Sequence, residues 1–188
     1  KFVTFLVIFS GFWVVFWQQY ISLPIYVRTY VDPNANIDRL LAVEATTVIL
    51  LTFVVNYATR KVPAFAAIIT GVLISSLSWL VLTLGSGVPY IVAALIVLAI
   101  GEVVQAPRYY EYISRLAPPG QQGLFMGYAF LPIGIGYLIA GPSAGWLLHY
   151  FGEVRQQPHQ MWFVIAGAGV LTTLLLIVYD QFVRPKDV

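Results

Sequence analysis

Cysteine is absent, which excludes disulfides and every thiolate metal site while saying nothing about compartment. Charge is almost as scarce. Asp, Glu, Lys and Arg make up 10% of the 188 residues, against about a quarter in a soluble domain. So few charges cannot keep a surface wet, and most of the outside must face lipid. A formal net charge of +2 with no basic cluster excludes nucleic acid as a partner. No nucleophile sits beside a base, and no Gly-rich phosphate loop follows a strand, so the chain does not read as an enzyme. His149 and His159 flank a loop at no metal-binding spacing, and neither a metal nor a cofactor is expected.

What is present is apolar: 60% of the residues are hydrophobic. Runs long enough to cross about 30 Å of hydrocarbon recur with short polar breaks. They predict transmembrane helices over residues 2–22, 40–58, 64–84, 90–116, 124–151 and 161–183, making an all-α integral membrane bundle of six spans. The chain opens on Lys1 inside the first run, as a signal peptide could, but that run is too long and lacks a small-residue cleavage site. Lys1, Arg60, Lys61, Arg115, Arg184 and Lys186 fall at one side, and Arg28, Arg39 and Arg155 at the other. The bias places both termini in the cytoplasm, with the plasma (inner) membrane as the expected location.

Two spans are irregular. The fourth holds Pro107; the fifth holds Pro132 and Pro142, with Gly141 and Gly145 in a small-xxx-small step, and reads either as a kinked helix in close packing or as a bending, gating helix.

A charge near the bilayer centre costs about 2.5–3.5 kcal/mol even on lenient scales, so each one needs a reason. Glu102 lies mid-helix with no basic residue within one turn, and it either carries a proton or faces a water-filled cavity. A neutral glutamic acid bonding a neighbouring helix is the structural alternative. Arg108 and Glu111 share a helix face and can pair as a brace or a gate. Glu44 reads equally as interfacial or cavity-facing, and of Gln18 and Gln19 at least one should face protein or water. Asp180 reads as interfacial.

The run Gly101-Glu102-Val103-Val104-Gln105-Ala106-Pro107, then Arg115-Leu116-Ala117-Pro118, then Gly123-Leu124-Phe125-Met126-Gly127, resembles the tenth and eleventh helices of proton-dependent oligopeptide transporters, a family of the major facilitator type. Phe12-Trp13 and Phe16-Trp17-Gln18 resemble that family's seventh helix. The resemblance implies helices seven to twelve of a twelve-helix transporter, arranged as two inverted three-helix repeats. It also implies a missing N-terminal half as partner, a proton-driven symport mechanism and a small polar solute, peptide-like or other. Substrate binding would fall to Glu102, Gln18 and Glu44, and proton coupling or gating to Glu102, Arg108 and Glu111. Two positions depart from the family: Trp17 stands where an acidic residue is usual, and Ala129 where a tryptophan is usual. The alternative reading is a non-transporting membrane subunit packed against a larger complex.

Overall fold

The computed structural model describes residues 1–184. Lys186, counted above among the cations at one side, lies outside the described residues. Six helical stretches are long and apolar enough to cross a membrane: Phe2–Tyr30, Ile37–Thr59, Ala64–Thr83, Val88–Leu116, Gln122–Val154 and Pro158–Phe182. No strand occurs among the described residues.

The first span is two helices, α1 (Phe2–Phe16) and α2 (Ser22–Tyr30), joined by a 3-10 turn at Trp17–Gln19. Pro24 has no N–H for the carbonyl of Tyr20, so the helix cannot run through. It restarts instead, with Pro24 in the first turn of α2 where that donor is dispensable. The expectation that the first helix stops at residue 22 is therefore corrected: the span continues to Tyr30. The second span is one helix, α3 (Ile37–Thr59), capped by Asn36, whose side chain accepts from the Arg39 amide at 3.0 Å. The third is α4 (Ala64–Ser78) followed by a 3-10 turn, and the fourth is α5 (Val88–Leu116). Pro132 divides the fifth span into α6 (Gln122–Tyr128) and α7 (Leu131–Leu147), which widens into a π-type turn at Leu148–Val154. The last span is α8 (Met161–Phe182), entered through a short 3-10 turn.

Packing repeats after three spans. α3 lies on α5 as α7 lies on α1, α4 lies on α5 as α8 lies on α1, and α4 meets α8. Exchanging the first triplet for the second leaves that pattern unchanged. Burial follows it: the apolar windows of spans one to three are 50%, 11% and 56% buried, and those of spans four to six 50%, 22% and 44%. The second span of each triplet is thus the one the bundle covers least.

The start of α1 and the end of α8 meet at one end of the bundle, called the terminal end below, where the Tyr179 hydroxyl donates to the Lys1 carbonyl at 3.3 Å. That end is filled by Phe5, Phe65, Tyr109, Tyr112 and Tyr179 in mutual ring contact. The opposite end is closed by Trp162, stacked on Trp79 at 5.0 Å and edge-on to Tyr26. Asp180 pairs with Arg184 at 3.0 Å near the terminal end.

The close helix approaches are not where the Gly141–Gly145 step suggests. A Cβ added at either would meet nothing within 4 Å. The tight crossings use Gly71 against Gly101, where α4 meets α5, and Gly136 against the Trp13 backbone, where α7 meets α1. Gly141 and Gly145 instead face away from the described bundle.

Candidate functional site

The α4–α5 crossing sets the direction of Glu102. A Cβ at Gly101 would lie 2.6 Å from the Gly71 carbonyl oxygen and from the Ser75 amide, so only glycine lets the backbones meet. The Ser75 hydroxyl reinforces the contact by donating to the Leu98 carbonyl at 3.3 Å. With Gly101 held against α4, the next residue on the helix turns toward α3.

There Glu102 meets Glu44. On α3 the buried positions are Ile37, Leu40 and Glu44, so Glu44 occupies the end of what is otherwise an apolar stripe. The two carboxyl groups are neighbours on one open cleft of about 460 Å³, with Phe16, Trp17, Tyr20, Ala45, Val48 and Ile49 completing its wall. That volume is in the range of small-molecule sites, about 300–1,000 Å³. Glu44 is 5% exposed. Glu102 Oε2 is buried and has no hydrogen-bond partner among the described residues.

Trp17 is fixed in the wall by its indole N–H, which donates to the Ile133 carbonyl at 3.1 Å, and by an edge contact with Tyr137 at 5.2 Å. Aromatic faces beside paired carboxylates suit a solute with one cationic group and an apolar remainder. Neither the aromatic wall nor the companionship of Glu44 and Glu102 was evident from the sequence. The available signal was the stacking of Phe16, Trp17 and Tyr20 along one part of a helix that ends in a polar turn.

Gln18 is placed elsewhere. It is 1% exposed, and its amide N–H groups point at the Val14 carbonyl at 3.2 Å, the Ser143 hydroxyl at 3.3 Å and the Ala140 carbonyl at 3.4 Å. Its carbonyl oxygen accepts from the Ser22 hydroxyl. The side chain is a cross-link between the first and fifth spans and does not line the cleft of Glu44 and Glu102.

Arg108 and Glu111 form the pair expected from their spacing, at 2.7 Å, and Arg115 reaches the other carboxylate oxygen at 2.6 Å. Arg108 also donates to the Thr59 carbonyl at 3.1 Å. That carbonyl, at the C-terminus of α3, also accepts from the Val62 amide at 2.9 Å, and the Arg108 bond ties α3 to α5 on the terminal side of Glu102.

Residues 2–187 match the sequence family described as Major Facilitator Superfamily. Among curated relatives, the chain is 25% identical over 177 residues to the multidrug resistance protein MdtH of Citrobacter koseri, covering 94% of this chain and 44% of that protein. It is 26% identical over 171 residues to the protein of that name in Aeromonas hydrophila, covering 90% and 43%. The chain thus spans less than half the length of these relatives. Among solved structures, a POT family transporter in complex with 5-aminolevulinic acid superposes with a TM-score of 0.79 at 17% identity, over 97% of this chain and 41% of that one. A POT family transporter in complex with a thioalcohol-conjugated peptide gives the same TM-score at 16% identity, over 98% and 41%. At those identities the likeness is one of fold. With six apolar spans in a repeated triplet and a family match over nearly its whole length, the chain belongs to the Major Facilitator Superfamily.

Proposed function

We propose that this chain is the C-terminal half of a proton-coupled secondary transporter, with Glu44 and Glu102 holding the cationic group of a small organic solute. The observation that carries the reading is the pair of neighbouring carboxylates on a cleft walled by Phe16, Trp17 and Tyr20. Two carboxyl groups that close cannot both stay charged without a counter-charge, so a proton or a solute cation must accompany one of them. Exchange of proton for solute at one place is the simplest coupling device. In this reading Arg108 and Glu111 brace or gate the terminal side, and Gln18 supports the first span without touching solute.

The half-transporter reading is supported by coverage and by surface. Curated relatives are more than twice as long. The spans covered least are the second and fifth, and the second contributes Glu44 to the cleft. A second six-helix half laid on α3 and α7 would close the cleft from the open side. The Lys/Arg bias supports a cytoplasmic position for the terminal end.

The test is pH-driven transport by the complete protein in liposomes, with the cationic dye ethidium and a neutral dipeptide as probes. Losing a hydrogen bond to a charged group, about 1.5–3 kcal/mol, should weaken transport of at least one probe about 10- to 100-fold in Glu102→Gln, with folding retained. Wild-type rates at every pH would remove Glu102 from the mechanism. Orientation is checked separately by thiol labelling of Asn34→Cys and Gln121→Cys in intact cells. Asn34→Cys should react from outside and Gln121→Cys only after permeabilisation, and equal reactivity would refute the topology.

A further inference from the structure

Glu102 opens on more than the cleft. Together with Val48 it also lines a second cavity of about 210 Å³, whose other walls are Thr52 and Asn56 of α3 and Val103, Ala106 and Pro107 of α5. The two spaces differ in chemistry. The cleft has aromatic faces and two carboxylates. The smaller cavity has no aromatic ring and offers a hydroxyl, a carboxamide and the backbone near a proline.

Pro107 matters here because it cannot donate to the carbonyl of Val103, four residues earlier. Within a membrane a carbonyl released in this way persists only where protein or water can satisfy it. Val103 and Pro107 both lie on the wall of this cavity. The partners opposite are spaced for the purpose: Glu44, Val48, Thr52 and Asn56 follow one another at four-residue steps along α3. They form a face about 18 Å long at 1.5 Å per residue. Thr52 donates to the Val48 carbonyl at 2.5 Å, which leaves its oxygen free to accept from the cavity side. Toward the terminal end the track stops at Arg108, held by the Thr59 carbonyl and Glu111.

We propose that this second cavity holds the water through which Glu102 exchanges its proton, separately from the cleft that takes the solute. The inference rests on the reading of Glu102 as proton carrier. The step is a simple transfer: the Glu102 carboxyl gives its proton to a cavity water, leaving a carboxylate and a hydronium that passes along Thr52 and then Asn56 toward the terminal end. Glu44 from α3, Tyr20 at the end of the 3-10 turn and Tyr110 on α5 are the ionisable groups near Glu102. α4 carries no Asp, Glu, Lys, Arg or His. Arg108 is already engaged by Glu111 and the Thr59 carbonyl. A solute in the cleft would therefore not block proton exchange, and the two cargoes could be loaded and released in sequence.

Infrared spectroscopy of the complete transporter tests this. The carboxyl C=O stretch that Glu102→Gln removes reports the protonated side chain, and its isotope shift after transfer to D2O gives the exchange rate. Since the chain has no cysteine, Ala45→Cys carrying a bulky maleimide blocks the cleft selectively within it. The blocked protein should exchange at close to the wild-type rate, and adding Asn56→Leu should slow exchange about tenfold or more. Thr52→Val, nearly isosteric, is the second variant and should slow exchange in the same background even where Asn56→Leu folds poorly. Exchange abolished by the Ala45→Cys adduct alone overturns the second route, as does undiminished exchange in both added variants. If no carboxyl band depends on Glu102 between about pH 4 and pH 10, the proton-carrier reading fails first, and the route falls with it.

Discussion

Gln18 and Glu102 both lie deep in a helix that leads a triplet, and the fold treats them in opposite ways. Around Gln18 the first span tightens into a 3-10 turn, and its amide is met by the Ala140 carbonyl, the Ser143 hydroxyl and Ser22. Around Glu102 the fourth span stays helical, and the carboxyl is turned toward another carboxylate with Oε2 left unpartnered. A polar group satisfied on every side holds helices together. One left with spare capacity and a cavity beside it is available to a ligand or a proton. The contrast separates a satisfied polar group from an unsatisfied one more sharply than depth in the membrane does.

The largest effect that would break the contrast is at Gly101. Gly101→Leu puts a side chain into the backbone of α4, and overpacking of this kind costs about 1–3 kcal/mol or more. Thermal unfolding in detergent should show a clearly lowered Tm together with loss of probe binding, because Glu102 turns with the helix. An unchanged Tm would mean that the α4–α5 contact does not orient Glu102.

Gln18→Leu comes next and sharpens the comparison directly. It should cost about 0.6–1.7 kcal/mol, the range for hydrogen bonds between membrane helices, measured by denaturant titration. Transport should fall far less than in Glu102→Gln. A Gln18→Leu protein that is stable but inactive would move Gln18 from scaffold to solute contact.

The smallest effect belongs to a polar pair outside both categories. His149 and Glu153 pair at 2.6 Å on the exposed π-type turn. Exposed pairs contribute little, so Glu153→Gln should leave Tm within about 2 °C and transport unchanged. A strong effect there would show that this π-type turn takes part in the transport cycle.

Much of the architecture was legible in the sequence because the bilayer is a blunt solvent. The six spans, the all-helical class and the Arg108–Glu111 pair follow from run length and helical spacing. Helix interruptions were less legible. Pro24 looked like a terminator but sits in a first turn, where a proline is tolerated, while Pro132 divides the fifth span in two. The glycine step at Gly141 and Gly145 was readable as a packing motif, yet which helix meets a glycine depends on rotation about the axis, and the tight crossings fell to Gly71, Gly101 and Gly136.

By itself the sequence determined that the chain lives in lipid, how many times it can cross, and that a glutamate at position 102 needs a reason to be there. Local rules suffice for these, since hydrocarbon penalises every charge and every unpaired backbone group alike. Only the tertiary structure decided that Glu44 is the neighbour of Glu102, that Gln18 is turned into a helix contact, and that Thr52, Asn56 and Pro107 line a second, partly open space beside the cleft. Those outcomes depend on the relative rotation of α3, α5 and α7. For α5 and α7 that rotation is set by close contacts at single glycines, which have no counterpart in hydropathy or periodicity.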